Sequence, residues 1–168
     1  MKVLAVNGSP RKTKNTASIL KSICEGTASK GAEAKSVNLY SLKYADCVSC
    51  FESKLIGGKN YSRWRGGDGL TPTLQAAHEA DVVIFGSPLY FFYETGMMRS
   101  FIERFMFQYH MYADKKAPLS PGKNSTALVC TMNVCYKSRI LLIISEQKRN
   151  NVRRRNGYVA MPEMRTRV

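Results

Sequence analysis

Two stretches of this chain combine residue types that could hold an anion and a flat ring. The first, Val3–Leu20, reads V-L-A-V-N-G-S-P-R-K-T-K-N-T-A-S-I-L. An apolar run stops at Asn7, Gly8, Ser9 and Pro10, and a polar loop leads to Asn15 and Thr16 ahead of an apolar pattern with helical spacing. Strand, loop and helix start put unpaired N–H groups and a positive dipole end beside small polar side chains, which is an anion site in outline. Ser9, Thr13, Asn15 and Thr16 could add hydroxyl or amide donors to a phosphate. Neither G-x-x-x-x-G-K-[ST] nor G-x-G-x-x-G occurs here, which excludes a Walker loop and the dinucleotide fingerprint. An ordinary capped β–α turn is the plainer reading of the same residues.

The second stretch, Gly86–Tyr93, reads G-S-P-L-Y-F-F-Y. It follows Val82-Val83-Ile84-Phe85, a continuous apolar run of the kind buried on both faces of a parallel sheet. Pro88 stops the strand, and the aromatics after it offer flat apolar surface beside backbone N–H and C=O groups. The plainer alternative, strongest for Phe92 and Tyr93, is packing on a neighbouring subunit.

The elements that must carry these loops can be read from periodicity. A helix is expected over Thr16–Ser29, with Asn15 as its cap and Gly31 ending it. A weaker strand follows at Ala32–Leu39, and strand–helix–strand implies a right-handed parallel crossover. Tyr40–Leu70 is a long connection without convincing periodicity, carrying Cys47 and Cys50. A short helix is expected at Thr73–Ala80. A longer one should run from Thr95 to about Tyr109, with Met98, Phe101, Ile102 and Phe105 on one stripe and Met97, Met106 and Tyr109 beside it. Asn124–Thr131 reads as a fourth strand. This order is a doubly wound α/β pattern, in which ligands bind beyond the carboxyl ends of the strands at the switch point. Both loops belong there. A mononucleotide with a large ring system, such as FMN, would use one loop for its phosphate and the other for its ring.

The residues that carry the two loops also carry a family likeness. M-K-V-L-A-V-N-G-S-P-R-K-T-K-N-T, A-D-V-V-I-F-G-S-P-L-Y-F and T-G-M-M-R-S-F-I-E-R resemble the flavodoxin-like NAD(P)H-dependent FMN reductases, and among them the iron-sulfur flavoprotein branch. The resemblance covers residues 1 to about 133. It implies a flavodoxin-like doubly wound parallel sheet of strand order 2-1-3-4 that continues with a helix, a fifth strand and a last helix; in this chain the fold reads as C-terminally incomplete, with the fifth strand left open. It implies FMN as cofactor and NAD(P)H as co-substrate, the oxidoreductase passing electrons to a small acceptor such as a quinone, a nitroaromatic or free flavin. Ser9, Arg11, Asn15 and Thr16 match the positions that hold the FMN phosphate. Pro88, Leu89, Tyr90 and Phe91 match the loop beside the ring, and Thr131, Met132 and Asn133 fall where a third loop touches it. No catalytic side chain is expected, because the flavin carries the redox chemistry. The family pattern is a homodimer with FMN near the interface, which would suit the apolar arc of the Thr95–Tyr109 helix. A flavodoxin-type electron carrier is one alternative, though this chain is basic where flavodoxins are acidic; an incomplete, inactive family member with a basic nucleic-acid-binding tail is the other.

Two departures from the family pattern stand out. The iron-sulfur branch holds its cluster with four cysteines, whereas here Cys47 and Cys50 are followed by Ser53 and Asn60. No iron-sulfur cluster is expected, and no metal site, since His78 and His110 have no ligand spacing to the pair. Unreactive leftovers of the family pattern and a redox-active pair both remain open for the two thiols. The second departure is the C-terminus. Ile140–Ile144 begins too soon after Thr131 for a parallel crossover. Glu146–Val168, with Arg153-Arg154-Arg155, has no amphipathic period. Residues 1–133 are therefore read as the FMN-binding domain and 134–168 as an atypical basic tail, either a natural extension or the product of a changed reading frame near Asn133. The formal net charge is +14, and residues 134–168 supply half of it. Nucleic acid is a candidate partner through that tail alone. No apolar run approaches the ~20 residues that span a bilayer, and no signal-peptide pattern opens the chain, so a cytoplasmic, membrane-free protein is expected.

Overall fold

The computed structural model describes residues 1–51, 67–109, 125–134 and 137–146, the last two segments through their backbone alone. Its centre is a pair of parallel strands, β1 (Lys2–Asn7) and β3 (Val82–Pro88), in register Val3 to Val82 through Asn7 to Gly86. β2 (Glu33–Asn38) lies parallel on the outer side of β1, and β4 (Ser125–Val134) lies parallel on the far side of β3. β5 (Lys137–Glu146) completes the order β2-β1-β3-β4-β5, antiparallel to β4.

Both faces of the sheet are covered, which is why β1 and β3 are apolar without alternation. On one face α1 (Asn15–Ala28) packs Leu20 against Val3, Ala5 and Ile84. Gly86 makes that approach close: a Cβ there would stand 2.6 Å from Leu20 Cδ1. On the other face α2 (Thr71–Glu79) and α3 (Gly96–Phe107) cover Leu4, Val6, Val83 and Phe85 with Leu74, Met98, Phe101 and Phe105. Phe85 meets Phe101 and Phe105 edge-on, at centroid distances of 5.7 and 5.9 Å. Each such side chain, removed from water, contributes about 2 kcal/mol.

The expected strand order and element types are those observed, with two corrections. Lys14, not Asn15, is the N-cap of α1, and Asn15 is the first helical residue. The chain beyond β4 does return to the sheet. Residues 135 and 136 separate β4 from β5, and so short a link excludes a parallel crossover but joins an antiparallel pair readily. The run Ile140–Ile144 pairs with Thr131–Ala127 in this way, so β4 is not an edge. The boundary expected at residue 133 falls inside β4. The tail after Glu146 and the changed-frame question lie outside the described residues, as do Ser53, Asn60 and His110.

The apolar arc of α3, expected to suit a dimer, is largely spent inside the chain. Met98, Phe101 and Phe105 are buried, Met97, Ile102 and Tyr109 pack against them, and Met106 is 55% exposed.

Candidate functional site

The sheet order reverses between β1 and β3, and the loops that leave their carboxyl ends are tied to each other. Gly8 N–H donates to the Gly86 carbonyl (2.7 Å), extending the β1–β3 ladder one residue past β1. The Gly8 carbonyl in turn accepts from the Thr95 hydroxyl (2.7 Å) at the N-terminus of α3. A Cβ on Gly8 would stand 2.8 Å from Met98 Cβ, so only glycine lets the first loop run this close to α3.

The first loop then folds on itself. Ser9 N–H donates to Asn7 Oδ1 (2.9 Å), and Ser9 Oγ accepts from Arg11 N–H (3.2 Å). Asn7, Ser9 and Thr16 are buried, whereas Arg11, Lys12, Lys14 and Asn15 are exposed. The N-cap residue of α1 makes no side-chain cap, and no acidic residue occupies the first turn. The positive dipole end of α1 is thus not countered by an acidic side chain in its own first turn. α3 is built the opposite way: Thr95 Oγ1 accepts from Met98 N–H (3.3 Å) and closes its N-terminus.

The second loop turns sharply. Tyr90 and Tyr93 exchange both backbone hydrogen bonds, at 2.8 and 3.1 Å. Between them Phe91 and Phe92 both have positive φ, 51° and 70°, as a type I′ turn requires. Two bulky residues in that region cost about 1–2 kcal/mol each. The two residues are 94% and 88% exposed. Pro88 and Leu89 are half-buried at the loop's start. The third segment lies alongside: Pro88 pairs in register with Thr131, and Met132 and Asn133 continue β4 beyond it.

The long connection after β2 is pinned at both ends near this edge. Arg104, buried on α3, makes two bonds to Asp68 (Nη1–Oδ2 2.5 Å, Nη2–Oδ1 3.0 Å) and one to the Ala45 carbonyl (3.2 Å). Burial opposes the Asp68 carboxylate, but the Arg104 guanidinium and the N–H groups of Leu70 and Ala45 outweigh it and hold its pKa below the ordinary value. Tyr44 donates to the Met97 carbonyl (2.6 Å), and burial pushes its hydroxyl well above the usual range. Gly69 N–H donates to the Lys43 carbonyl (3.1 Å). Just past this clamp stand Cys47, half-buried, and Cys50, exposed, both unbridged. Among the described residues no group of three or more His, Cys, Asp and Glu side chains could hold a metal ion. His78 instead hydrogen-bonds the Tyr109 hydroxyl (2.9 Å) and ties α2 to the turn that follows α3.

A family model for NADPH-dependent FMN reductases matches residues 1–133, which span all three loops. The chain belongs to the NADPH-dependent FMN reductase family. An iron-sulfur flavoprotein of Archaeoglobus fulgidus is 34% identical over 104 residues, covering 62% of this chain and 48% of that protein. A second, from Methanocaldococcus jannaschii, is 28% identical over 104 residues, 62% of this chain and 51% of its own. The chain thus spans about half the length of the curated relatives it matches. Among solved structures, the NAD(P)H:quinone oxidoreductase of Methanothermobacter marburgensis superposes with a TM-score of 0.57 at 15% identity, over 79% of this chain and 65% of that one. RosB, in a crystal structure with a bound formylriboflavin phosphate intermediate, gives 0.54 at 19% identity, over 79% and 52%. At these identities the superpositions speak for the flavodoxin-like fold.

Of the residues singled out from sequence, the reductase fold brings Ser9, Arg11, Asn15 and Thr16 to one loop and helix start. It sets Pro88–Phe91 beside them and Thr131 next to Pro88. Three residues that tie the loops together lay in the quoted stretches or beside them without being singled out. Asn7 and Ser87 are too common at strand ends to stand out. Thr95 was legible as a helix start but not as a bridge to a loop 87 residues away.

Proposed function

We propose that this chain binds FMN across the β1–β3 switch point and acts as an NAD(P)H-dependent reductase of a small acceptor, a quinone, nitroaromatic or free flavin. The observation that carries this reading is the pairing of an uncapped, acid-free helix start with an exposed aromatic turn, held together by the Gly8–Thr95 bond. The residues present fit the cofactor. Ser9, Arg11, Asn15 and Thr16 would hold the phosphate with the first N–H groups of α1. Pro88, Leu89, Tyr90 and Phe91 would line the ring, with Thr131, Met132 and Asn133 on its further side. Lys12 and Lys14 add positive potential that draws the dianion in, weakened by their exposure. When bound, the flavin supplies the hydride and electron chemistry, and the chain's share is to bind it, orient it and leave one face open.

We further propose that the Phe91–Phe92 turn is covered by a second copy, as the family pattern would have it. Exposed rings on a strained turn are costly unless something uses them. The activity is tested by steady-state oxidation of NADH and NADPH with FMN-loaded protein and a quinone. Turnover that depends on added FMN supports the reductase. FMN binding without turnover would leave an electron carrier in its place.

A further inference from the structure

The first and second loops meet through two buried hydroxyls, and this contact has a consequence for affinity that neither loop has alone. Ser87 Oγ, fully buried, donates to the Pro88 carbonyl (2.9 Å) and accepts from Thr95 N–H (3.1 Å). Thr95, 2% exposed, then donates through Oγ1 to the Gly8 carbonyl. The peptide between Gly8 and Ser9 is thereby fixed at both polar groups: its C=O by Thr95, its N–H by Asn7 Oδ1. That peptide aims Ser9, whose hydroxyl shapes the turn to Arg11.

An N-cap needs an acceptor, and Asp or Asn would cap α3 as well as Thr does. What Asp could not do is donate to Gly8. We infer that Thr95 is a positioning residue for the phosphate end of the cofactor site: its hydroxyl sets the orientation of the Gly8–Ser9 peptide and so couples phosphate binding to the loop that lines the ring. The inference rests on the FMN reading above. The role is indirect, since Thr95 is enclosed by Gly8, Ser87 and Met98 rather than facing a ligand.

The test compares FMN with riboflavin, which lacks the phosphate, on the full chain. Affinities of wild type, Thr95→Val and Thr95→Ser are measured by flavin fluorescence at a temperature where circular dichroism shows each fully folded. Loss of the donor leaves a buried carbonyl unpaired, so Thr95→Val should bind FMN about tenfold or more weaker while riboflavin changes by less than about threefold. Thr95→Ser, which keeps the donor, should restore both. A residue that merely capped α3 would lower the melting temperature and leave the FMN-to-riboflavin ratio where it was. An unchanged ratio in Thr95→Val, equal loss for both ligands, or failure of Thr95→Ser to rescue overturns the inference while the FMN reading stands. A wild type that binds neither flavin removes both together.

Discussion

Arg11 and Arg104 carry the same guanidinium and do opposite things. Arg11 is exposed on the first loop, and the contacts described for it are backbone ones, its N–H to Ser9 Oγ and its carbonyl to the same hydroxyl. Arg11→Ala should therefore leave stability within about 0.5 kcal/mol and weaken FMN roughly 10- to 100-fold through the lost charged hydrogen bonds. Riboflavin binding should hardly move, and titration of both ligands checks this. Arg104 is buried and pins Ala45 and Asp68. Asp68→Asn strands that cation and should cost about 2–4 kcal/mol, seen as a lower melting temperature. The sign of the pH effect follows from the lowered Asp68 pKa. The folded state holds the carboxylate charged more readily than the unfolded chain. The clamp's contribution is full above the unfolded value of about 4 and fades as pH falls below it. Melting curves from pH 7 down to 3 should show a steeper decline in wild type than in Asp68→Asn, which keeps only the share due to the other carboxylates.

At the scale of elements, the Tyr90–Tyr93 turn is where local backbone preference and the fold disagree most. Replacing Phe91 by Asn and Phe92 by Gly supplies the residues a type I′ turn prefers and should raise stability by about 1 kcal/mol or more. The same pair of changes should abolish self-association, if a second copy covers those rings. Thermal melting and sedimentation velocity read the two effects separately. The central elements were legible because burial on both faces leaves an unmistakable apolar run at Val82–Phe85, and because Gly31 and Thr95 punctuate helices. β5 was left open for a physical reason. Its apolar run was weighed against the length a parallel crossover needs, whereas two residues suffice for an antiparallel hairpin. Asn15 looked like a cap because amides favour that position, yet the helix begins one residue earlier and Lys14 takes the cap position.

For the molecule as a whole, the sheet gives the site its rigidity and the charge gives it reach. The first loop carries Arg11, Lys12 and Lys14 with no acidic residue between Met1 and Ile23, so the switch point presents positive potential to a dianion. Two of the three loops at the switch point were readable as motifs. The hydroxyl relay joining them was not, because its partners lie far apart in sequence and each is an unremarkable residue type. No described helix is long and apolar enough to cross a membrane. A ligand that binds the native state alone must stabilise it, by about 2.7 kcal/mol at a hundred times its Kd. FMN should therefore raise the melting temperature of the whole chain by several degrees, and riboflavin by less.

The most direct test of the site is a visible absorption spectrum of the purified chain after incubation with FMN and removal of unbound ligand by gel filtration. A flavin spectrum, with its band shape altered from free FMN and a stoichiometry near one per chain, is the expected result. A colourless protein under those conditions would contradict the proposed site at its foundation.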